Sequence, residues 1–254
     1  MNKRPLILVT NDDGIYAPGI RALVEVASAY GDLFVLAPDS PQSAKGHALT
    51  ISEPLRVVKS EYLQEHRSYK CSGTPVDCVK LAKNMMLKGQ QIDLCVSGIN
   101  HGSNASSNIL YSGTVSAAME ASMGGIDSIG FSLLDYSMDA DFSQAKEFIG
   151  SIIANELKTG PKNGRLLNVN IPNVHKDAIR GIKYCRQANA RWIEEYQEGT
   201  DPYGQPYYWL TGNFVNFDEG TDTDLYALEQ NYISIVPSKH DLTDYEALES
   251  FKSV

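Results

Sequence analysis

The first half of the chain alternates short apolar runs with stripes of helical spacing. Residues 5–10 (PLILVT) form an unbroken apolar run, the pattern of a strand covered on both faces. The turn formers Asn11-Asp12-Asp13-Gly14 end it. Ile20, Leu23, Val24 and Ala27 then share one stripe of a helix predicted over residues 17–29, with Pro18 in its first turn. A second buried strand is predicted over 32–37 (DLFVLA), followed by a helix with Thr74 as N-cap and Pro75 at its first position. A third buried strand over 92–97 (IDLCVS), a helix over 114–123 and a strand over 126–133 come next. A helix over 142–157 and a strand over 166–171, stopped by Pro172, complete the series. Apolar strands alternating with helices imply βαβ units, hence an α/β protein with a parallel sheet flanked by helices.

From Ile182 onward the pattern changes to alternating, aromatic-rich segments carrying Trp192, Tyr196, Tyr203, Tyr207, Tyr208, Trp209, Phe214 and Phe217. Tyr203-Gly204-Gln205-Pro206 reads as the turn between two arms of a hairpin. Such a hairpin is not stable alone, so it has to pack on the sheet or on another subunit. Stacking of a few of these rings on a nucleobase is the alternative use. The expected division is a catalytic core over 1–181 and a C-terminal hairpin and tail over 182–254.

Composition narrows the class. A chain of 254 residues, 43% hydrophobic and 21% charged, is long enough for one large core. Its net charge of -9 is uneven: residues 1–194 carry 20 basic and 19 acidic side chains, and 195–254 carry 2 and 12. The acidity therefore belongs to the tail, and neither part has the basic footprint that wrapping a nucleic-acid duplex requires. No run of eighteen apolar residues suggests a membrane span, and the first residues lack a secretory pattern, so a cytoplasmic protein is expected. Cys71, Cys78, Cys95 and Cys185 have no close paired spacing and read as reduced, buried thiols.

Ligands of open parallel sheets bind outside the carboxyl ends of the strands, which singles out three loops: 11–14, 38–47 and 98–114. Together they offer carboxylates, carboxamides, hydroxyls and backbone N–H groups, a set suited to a hard divalent cation and without clustered thiolates or imidazoles for zinc. Adjacent Asp12 and Asp13 repel one another at a buried strand end, and a cation is the simplest compensation. Taken alone, Asn-Asp-Asp-Gly equally suits a turn that caps the next helix, and a single Ser43 or Asn100 in a loop is far more often a plain turn residue. Ser112-Gly113-Thr114 sits directly before a helix, where free N–H groups and the positive helix end suit a phosphate, or simply an N-cap. A cation site and an anion site on one sheet edge suggest metal-assisted phosphate chemistry.

ILVTNDDGI at 7–15, APDSPQSAKGH at 37–47, SGTPVDCVKLA at 72–82, VSGIN at 96–100 and YSGTVSAAMEA at 111–121 together resemble the SurE family of 5'-nucleotidases, also called stationary-phase survival proteins. Tyr207-Tyr208-Trp209 and Ser234-Ile235-Val236-Pro237 extend the resemblance into the tail, so that it covers almost the whole chain. It implies a metal-dependent phosphatase acting on nucleoside 5'-monophosphates, with a Rossmann-like core and a C-terminal part exchanged between subunits of a homodimer or homotetramer. By the same resemblance, one divalent cation per subunit, Mg²⁺ or Mn²⁺, is held by Asp12, Asp13, Ser43 and Asn100. Asp12, Asp13 and Asn11 are the implied catalytic residues, and Asn100, Ser112, Gly113, Thr114, Gly46 and His47 the implied substrate or phosphate contacts.

The chain departs from the family's pattern after SGIN, where it has His101-Gly102-Ser103-Asn104 followed by Ala105-Ser106-Ser107-Asn108. His101 is a candidate phosphate contact or acid to the leaving group, or a surface residue. In the expected mechanism the cation activates a water that attacks phosphorus in line, one aspartate orients that water, and the 112–114 helix start supports the phosphate oxygens. An aspartyl-phosphate route ranks second, because Asp-x-Asp-x-Thr is absent. A broader phosphatase or exopolyphosphatase, and a nucleotide- or metal-binding regulatory module without turnover, are the alternatives. A dinucleotide oxidoreductase and a P-loop NTPase are disfavoured, since neither glycine fingerprint is present.

Overall fold

A computed structural model describes residues 4–137 and 139–252. The first apolar run forms β1 (Leu6–Thr10), every residue of it buried. The stripe after it forms α1 (Pro18–Ala27), with Pro18 at its start, and β2 (Asp32–Pro38) follows. Two short strands that no apolar run announces come next, β3 (Val57–Lys59) and β4 (Arg67–Cys71). In β4 only Ser68 and Cys71 are buried, while Tyr69 stacks on Phe34 of β2 at 5.3 Å between ring centres.

The helix α2 (Pro75–Leu81) opens with a complete capping box: the Asp77 N–H donates to Thr74 Oγ1 (3.1 Å) and the Thr74 N–H donates to Asp77 Oδ2 (2.9 Å). Such a cap stabilises a helix start by about 1 kcal/mol. The remaining elements are β5 (Leu94–His101), α3 (Gly113–Met123), β6 (Ser128–Leu133), α4 (Lys146–Lys158) and β7 (Leu166–Ile171). They are followed by β8 (Ile182–Tyr184), β9 (Ala190–Thr200), β10 (Pro206–Asn216), α5 (Asp224–Glu229), β11 (Ile233–Ser238) and α6 (Tyr245–Lys252).

Nine strands form one sheet in the order β3-β4-β2-β1-β5-β6-β7-β11-β8. The stretch from β4 to β7 is wholly parallel. From β1 the chain builds outward to β2 and β4, then returns to place β5, β6 and β7 on the other side, so the topological switch lies between β1 and β5. A ligand crevice belongs there. The sheet is sandwiched between two apolar layers, one containing Ile20, Leu23, Ile149 and Ile153 and the other Val79, Ala82, Ala117 and Ala121. Residues from 182 onward contribute to both sheets: β11 inserts between β7 and β8, antiparallel to β7, with Ile233 and Ile235 buried.

Only β9 and β10 form the separate two-stranded hairpin, paired from Ala190↔Asn216 to Thr200↔Pro206. Most of its large apolar side chains face outward, including Trp192, Tyr196, Tyr203, Tyr207, Tyr208 and Trp209. All four cysteines are free thiols; Cys71, Cys78 and Cys95 are buried, and Cys185 is half-buried rather than enclosed. No helix among the described residues is long and apolar enough to cross a membrane.

Candidate active site

The loops that follow β1, β2 and β5 meet at the switch point. Asn11, Asp12 and Gly14 are buried and Asp13 is half-buried directly beyond the end of β1. Asn11 Nδ2 donates to the Gly14 carbonyl (2.9 Å), and Gly14 takes the left-handed φ of +93° that lets the loop double back. The 38–47 loop is fastened to this turn by the Gln42 N–H, which donates to the Asp12 carbonyl (2.7 Å), and by the Ile15 N–H to the Pro38 carbonyl (2.8 Å). Ser43 lies in that loop and is exposed.

The Asp12 carboxylate is nearly enclosed. Thr114 Oγ1 donates to its Oδ1 from the first turn of α3, 102 positions along the chain. Burial, and then the adjacent Asp13 carboxylate, push the Asp12 carboxyl up to about 6 against the pull of the Thr114 hydroxyl. Burial also raises Asp13, with His101 pulling it back down. Asp13 Oδ2 and Asn11 Oδ1 are buried with no hydrogen-bond partner. Unpartnered buried oxygens of this kind are costly, and two carboxylates side by side are costlier still.

The third loop begins in β5, which runs past residue 97 to His101 through a register shift between Ser97 and Asn100. A bulge of this kind turns a strand end towards a site. Gly98 permits it: its φ is +130°, and a Cβ there would lie 2.4 Å from the Phe131 carbonyl oxygen. Asn100 Nδ2 donates to the carbonyls of His101 and Gly102, both at 2.9 Å. The side-chain hydrogens are therefore occupied, and Oδ1 is the atom that can act as a ligand.

At the start of α3 both hydroxyls are engaged, Ser112 as the N-cap and Thr114 with a distant carboxylate. Ser112 Oγ accepts from the Val115 N–H (3.0 Å), and the Thr114 hydroxyl is committed to Asp12. What remains for an anion is the backbone: the N–H groups of Gly113 and Thr114 stand at the first two helical positions, where no intrahelical acceptor exists, and of the two the Thr114 N–H already bears on the Asp12 carboxylate. Gly113 is also where α3 touches Asp12, because a Cβ there would sit 2.7 Å from Asp12 Cβ.

His47 belongs to a side-chain trio. Its Nε2 pairs with Glu120 Oε2 (3.0 Å), and Glu120 Oε1 takes the Lys80 ammonium (2.7 Å), so this trio ties the 38–47 loop to α2 and α3. Gly46 joins the same seam through its N–H to the Tyr111 carbonyl (3.2 Å). His101 contacts the Ser137 carbonyl through Nδ1 (2.9 Å) and stands edge-on to Phe142. Because a carbonyl only accepts, Nδ1 carries the hydrogen, and Nε2 is the ring atom left with a lone pair when the ring is neutral. His240 is exposed.

Asp12, Asp13, Asn100 and Ser43 each offer a hard oxygen donor from the three loops. No group of three or more His, Cys, Asp or Glu side chains among the described residues is arranged for a metal, so any ion here depends on amide and hydroxyl oxygens as well. The enclosed Asp12 carboxylate, the half-buried Asp13 carboxylate beside it and the unpartnered Asp13 Oδ2 fit a divalent cation.

Residues 7–194 match the family model described as Survival protein SurE. The 5'-nucleotidase SurE of Christiangramia forsetii is 57% identical over 255 residues, covering 99% of this chain and 97% of its own length. The chain belongs to the SurE family. A second SurE relative, the 5'-nucleotidase SurE of Cytophaga hutchinsonii, is 54% identical over 245 residues, 96% of this chain and 95% of its own. The crystal structure of the SurE protein from Aquifex aeolicus superimposes with a TM-score of 0.85 at 38% identity, covering 98% of this chain and 99% of that one. The α/β architecture with a mostly parallel sheet is therefore the SurE fold.

Several features of this SurE site carried no signal in the sequence. The Thr114–Asp12 bond, the His47–Glu120–Lys80 trio and the enclosure of Asn104 among Ser132, Asn168 and Asn170 each join segments far apart in the chain. Only the fold brings them together.

Proposed function

We propose that this chain is a divalent-metal-dependent 5'-nucleotidase that hydrolyses nucleoside 5'-monophosphates to nucleoside and inorganic phosphate. The observation that carries the reading is the Asp12–Asp13 pair at the sheet's switch point, in which Asp12 is enclosed against the N-terminus of α3 and Asp13 Oδ2 is unpartnered. Family membership and the activity in the relatives' names support it.

Asp12, Asp13, Asn100 and Ser43 would hold the cation, Mg²⁺ or Mn²⁺. When bound, it supplies neutralisation of phosphate charge and a more acidic water. Asp12, fixed by Thr114, is the firm ligand. Asp13 Oδ2 orients the attacking water and takes its proton. The Gly113 and Thr114 N–H groups hold phosphate oxygens and stabilise the charge that develops on them. Asn11, bonded to Gly14, shapes the turn that presents both carboxylates.

Phosphate release from a panel of nucleoside 5'- and 3'-monophosphates and short polyphosphate, with Mg²⁺, with Mn²⁺ and with chelator, tests this reading. Release confined to the 5'-monophosphates and lost with chelator is the expected result. Release that persists in chelator defeats the metal assignment, and release from polyphosphate alone defeats the substrate assignment.

The outward-facing aromatics of β9–β10 support a homodimer or homotetramer, because a lone hairpin with this much exposed apolar surface is not stable in water. Sedimentation is expected to give a dimer or tetramer, and Trp209→Glu to shift it to a smaller species. A wild-type monomer would remove that role from the hairpin. Cytoplasmic location is part of the same reading, supported by the four free thiols.

A further inference from the structure

The segment between Asn100 and α3 is held from two sides. On one side stand β6 and β7. The Asn104 N–H donates to Asn170 Oδ1 (2.8 Å), Asn168 Nδ2 donates to the Asn104 carbonyl (2.8 Å), and Asn104 Nδ2 donates to Ser132 Oγ (2.8 Å). On the other side stands the C-terminal part of the chain. Asp224, at the first position of α5, is 0% exposed and accepts three backbone N–H groups: Ser106 at 2.8 Å, Leu225 at 2.8 Å and Ala188 at 3.0 Å.

Ser106 is gripped further through its side chain. Its hydroxyl donates to the Ala188 carbonyl (2.8 Å) and accepts from the Ala190 N–H (3.2 Å), at the root of β9. Two residues on, Asn108 Oδ1 accepts the indole N–H of Trp192 in β9 (2.9 Å). Ser106 has a φ of +53°, a left-handed conformation that a serine keeps only where its surroundings over-determine it. Those surroundings come from residues 188–224.

A wholly buried carboxylate answered only by N–H groups is an expensive device. Its bonds to Leu225 and Ala188 stay within the C-terminal part. The bond to Ser106 spans 118 positions and enters the active-site loop. From Ser106 a 3-10 helix runs to Leu110, and Ser112 then caps α3, so the grip at Ser106 passes through a short, hydrogen-bonded segment to the N–H groups of Gly113 and Thr114.

We propose that Asp224 is a positioning residue for the phosphate site, holding the 101–112 loop through the Ser106 N–H and coupling it to the base of the β9–β10 hairpin. The proposal rests on the reading above, in which Gly113 and Thr114 hold the substrate's phosphate. It also gives the hairpin a part in the chemistry, because the same root that carries the exposed aromatics sets the loop.

Asp224→Asn tests it. The amide keeps one oxygen for Ala188 and Leu225 but turns an NH₂ group towards the Ser106 N–H, donor against donor. The inhibition constant of inorganic phosphate and the KM for a nucleoside 5'-monophosphate are expected to rise about fivefold or more, the effect of losing one hydrogen bond. The circular dichroism and sedimentation of the variant should stay as in the wild type. Glu156→Gln, which weakens the Arg165 ion pair at the opposite sheet edge, should lower Tm without moving the phosphate constant.

A folded Asp224→Asn with an unchanged phosphate constant overturns the proposal. Should that variant fail to fold, Trp192→Phe on the half-exposed hairpin root decides: a rise of about twofold in the phosphate constant supports the coupling, and no change overturns it. Binding of inorganic phosphate by calorimetry keeps the two readings separate. A wild type that binds phosphate without releasing it from nucleotides refutes the nucleotidase reading alone.

Discussion

Asp13→Asn is expected to abolish phosphate release, by about a thousandfold or more, while making the chelated protein more stable. The two effects have one cause. Asp12 and Asp13 are adjacent carboxylates at the end of a buried strand, and Asp13 Oδ2 has no partner. Burial and the neighbouring charge already raise the Asp12 carboxyl. Replacing the Asp13 carboxylate by an isosteric amide removes one of two repelling charges and the cost of keeping that charge partly out of water. For a chain of this size Tm should rise by about 2 °C or more. Phosphate-release rates with Mg²⁺, and thermal unfolding in chelator, check both halves. A variant that loses stability would mean that Asp13 is a structural residue, and one that keeps its rate would remove it from the site.

Gly113→Ala is expected to damage the site through a single added methyl group. The added Cβ would stand 2.7 Å from Asp12 Cβ and 2.8 Å from Asp12 Oδ2, closer than real side chains approach. Asp12 cannot step aside, because Thr114 holds its Oδ1 and the side chain is enclosed. The first turn of α3 must then retreat, taking with it the N–H groups of Gly113 and Thr114. A displacement of about 1 Å at a reacting centre costs about a hundredfold in kcat. The overpacking itself should cost about 1–3 kcal/mol of stability. Steady-state kinetics on the folded variant, with its Tm, measure the two effects. A wild-type kcat would show that contact between Asp12 and α3 does not set the geometry.

The three loops of the site were legible in the sequence because their signals are local. Each follows a continuous apolar run, and each consists of turn formers and oxygen donors. In the structure β1, β2 and β5 lie side by side, and their loops converge at the switch point. The strands β3, β4, β8 and β11 carry no such run. In β4 only Ser68 and Cys71 are buried, with no alternation of apolar and polar positions, and its Tyr69 and Arg67 pack on Phe34. Packing against a neighbour, rather than a run of apolar residues, makes it a strand. The tail reads as a unit apart in sequence because its aromatics dominate the pattern. Ile233 and Ile235 nevertheless complete the main sheet beside β7.

The sequence by itself determined which residue types occupy the loops beyond β1, β2 and β5: Asn11, Asp12, Asp13, Ser43, Asn100 and the Ser112–Gly113–Thr114 start of α3. Apolar runs, turn residues and helix caps act over a few positions, so they can be read without a fold. What each side chain then does was decided by the tertiary structure. The Thr114 hydroxyl is committed to Asp12, 102 positions away, which leaves backbone N–H at the helix start for an anion. His47 is a tie to Glu120, and Asp224 reaches the active-site loop from 118 positions away. Hydrogen-bond partners at such separations are set by where the sheet places its strands, and no local pattern encodes them.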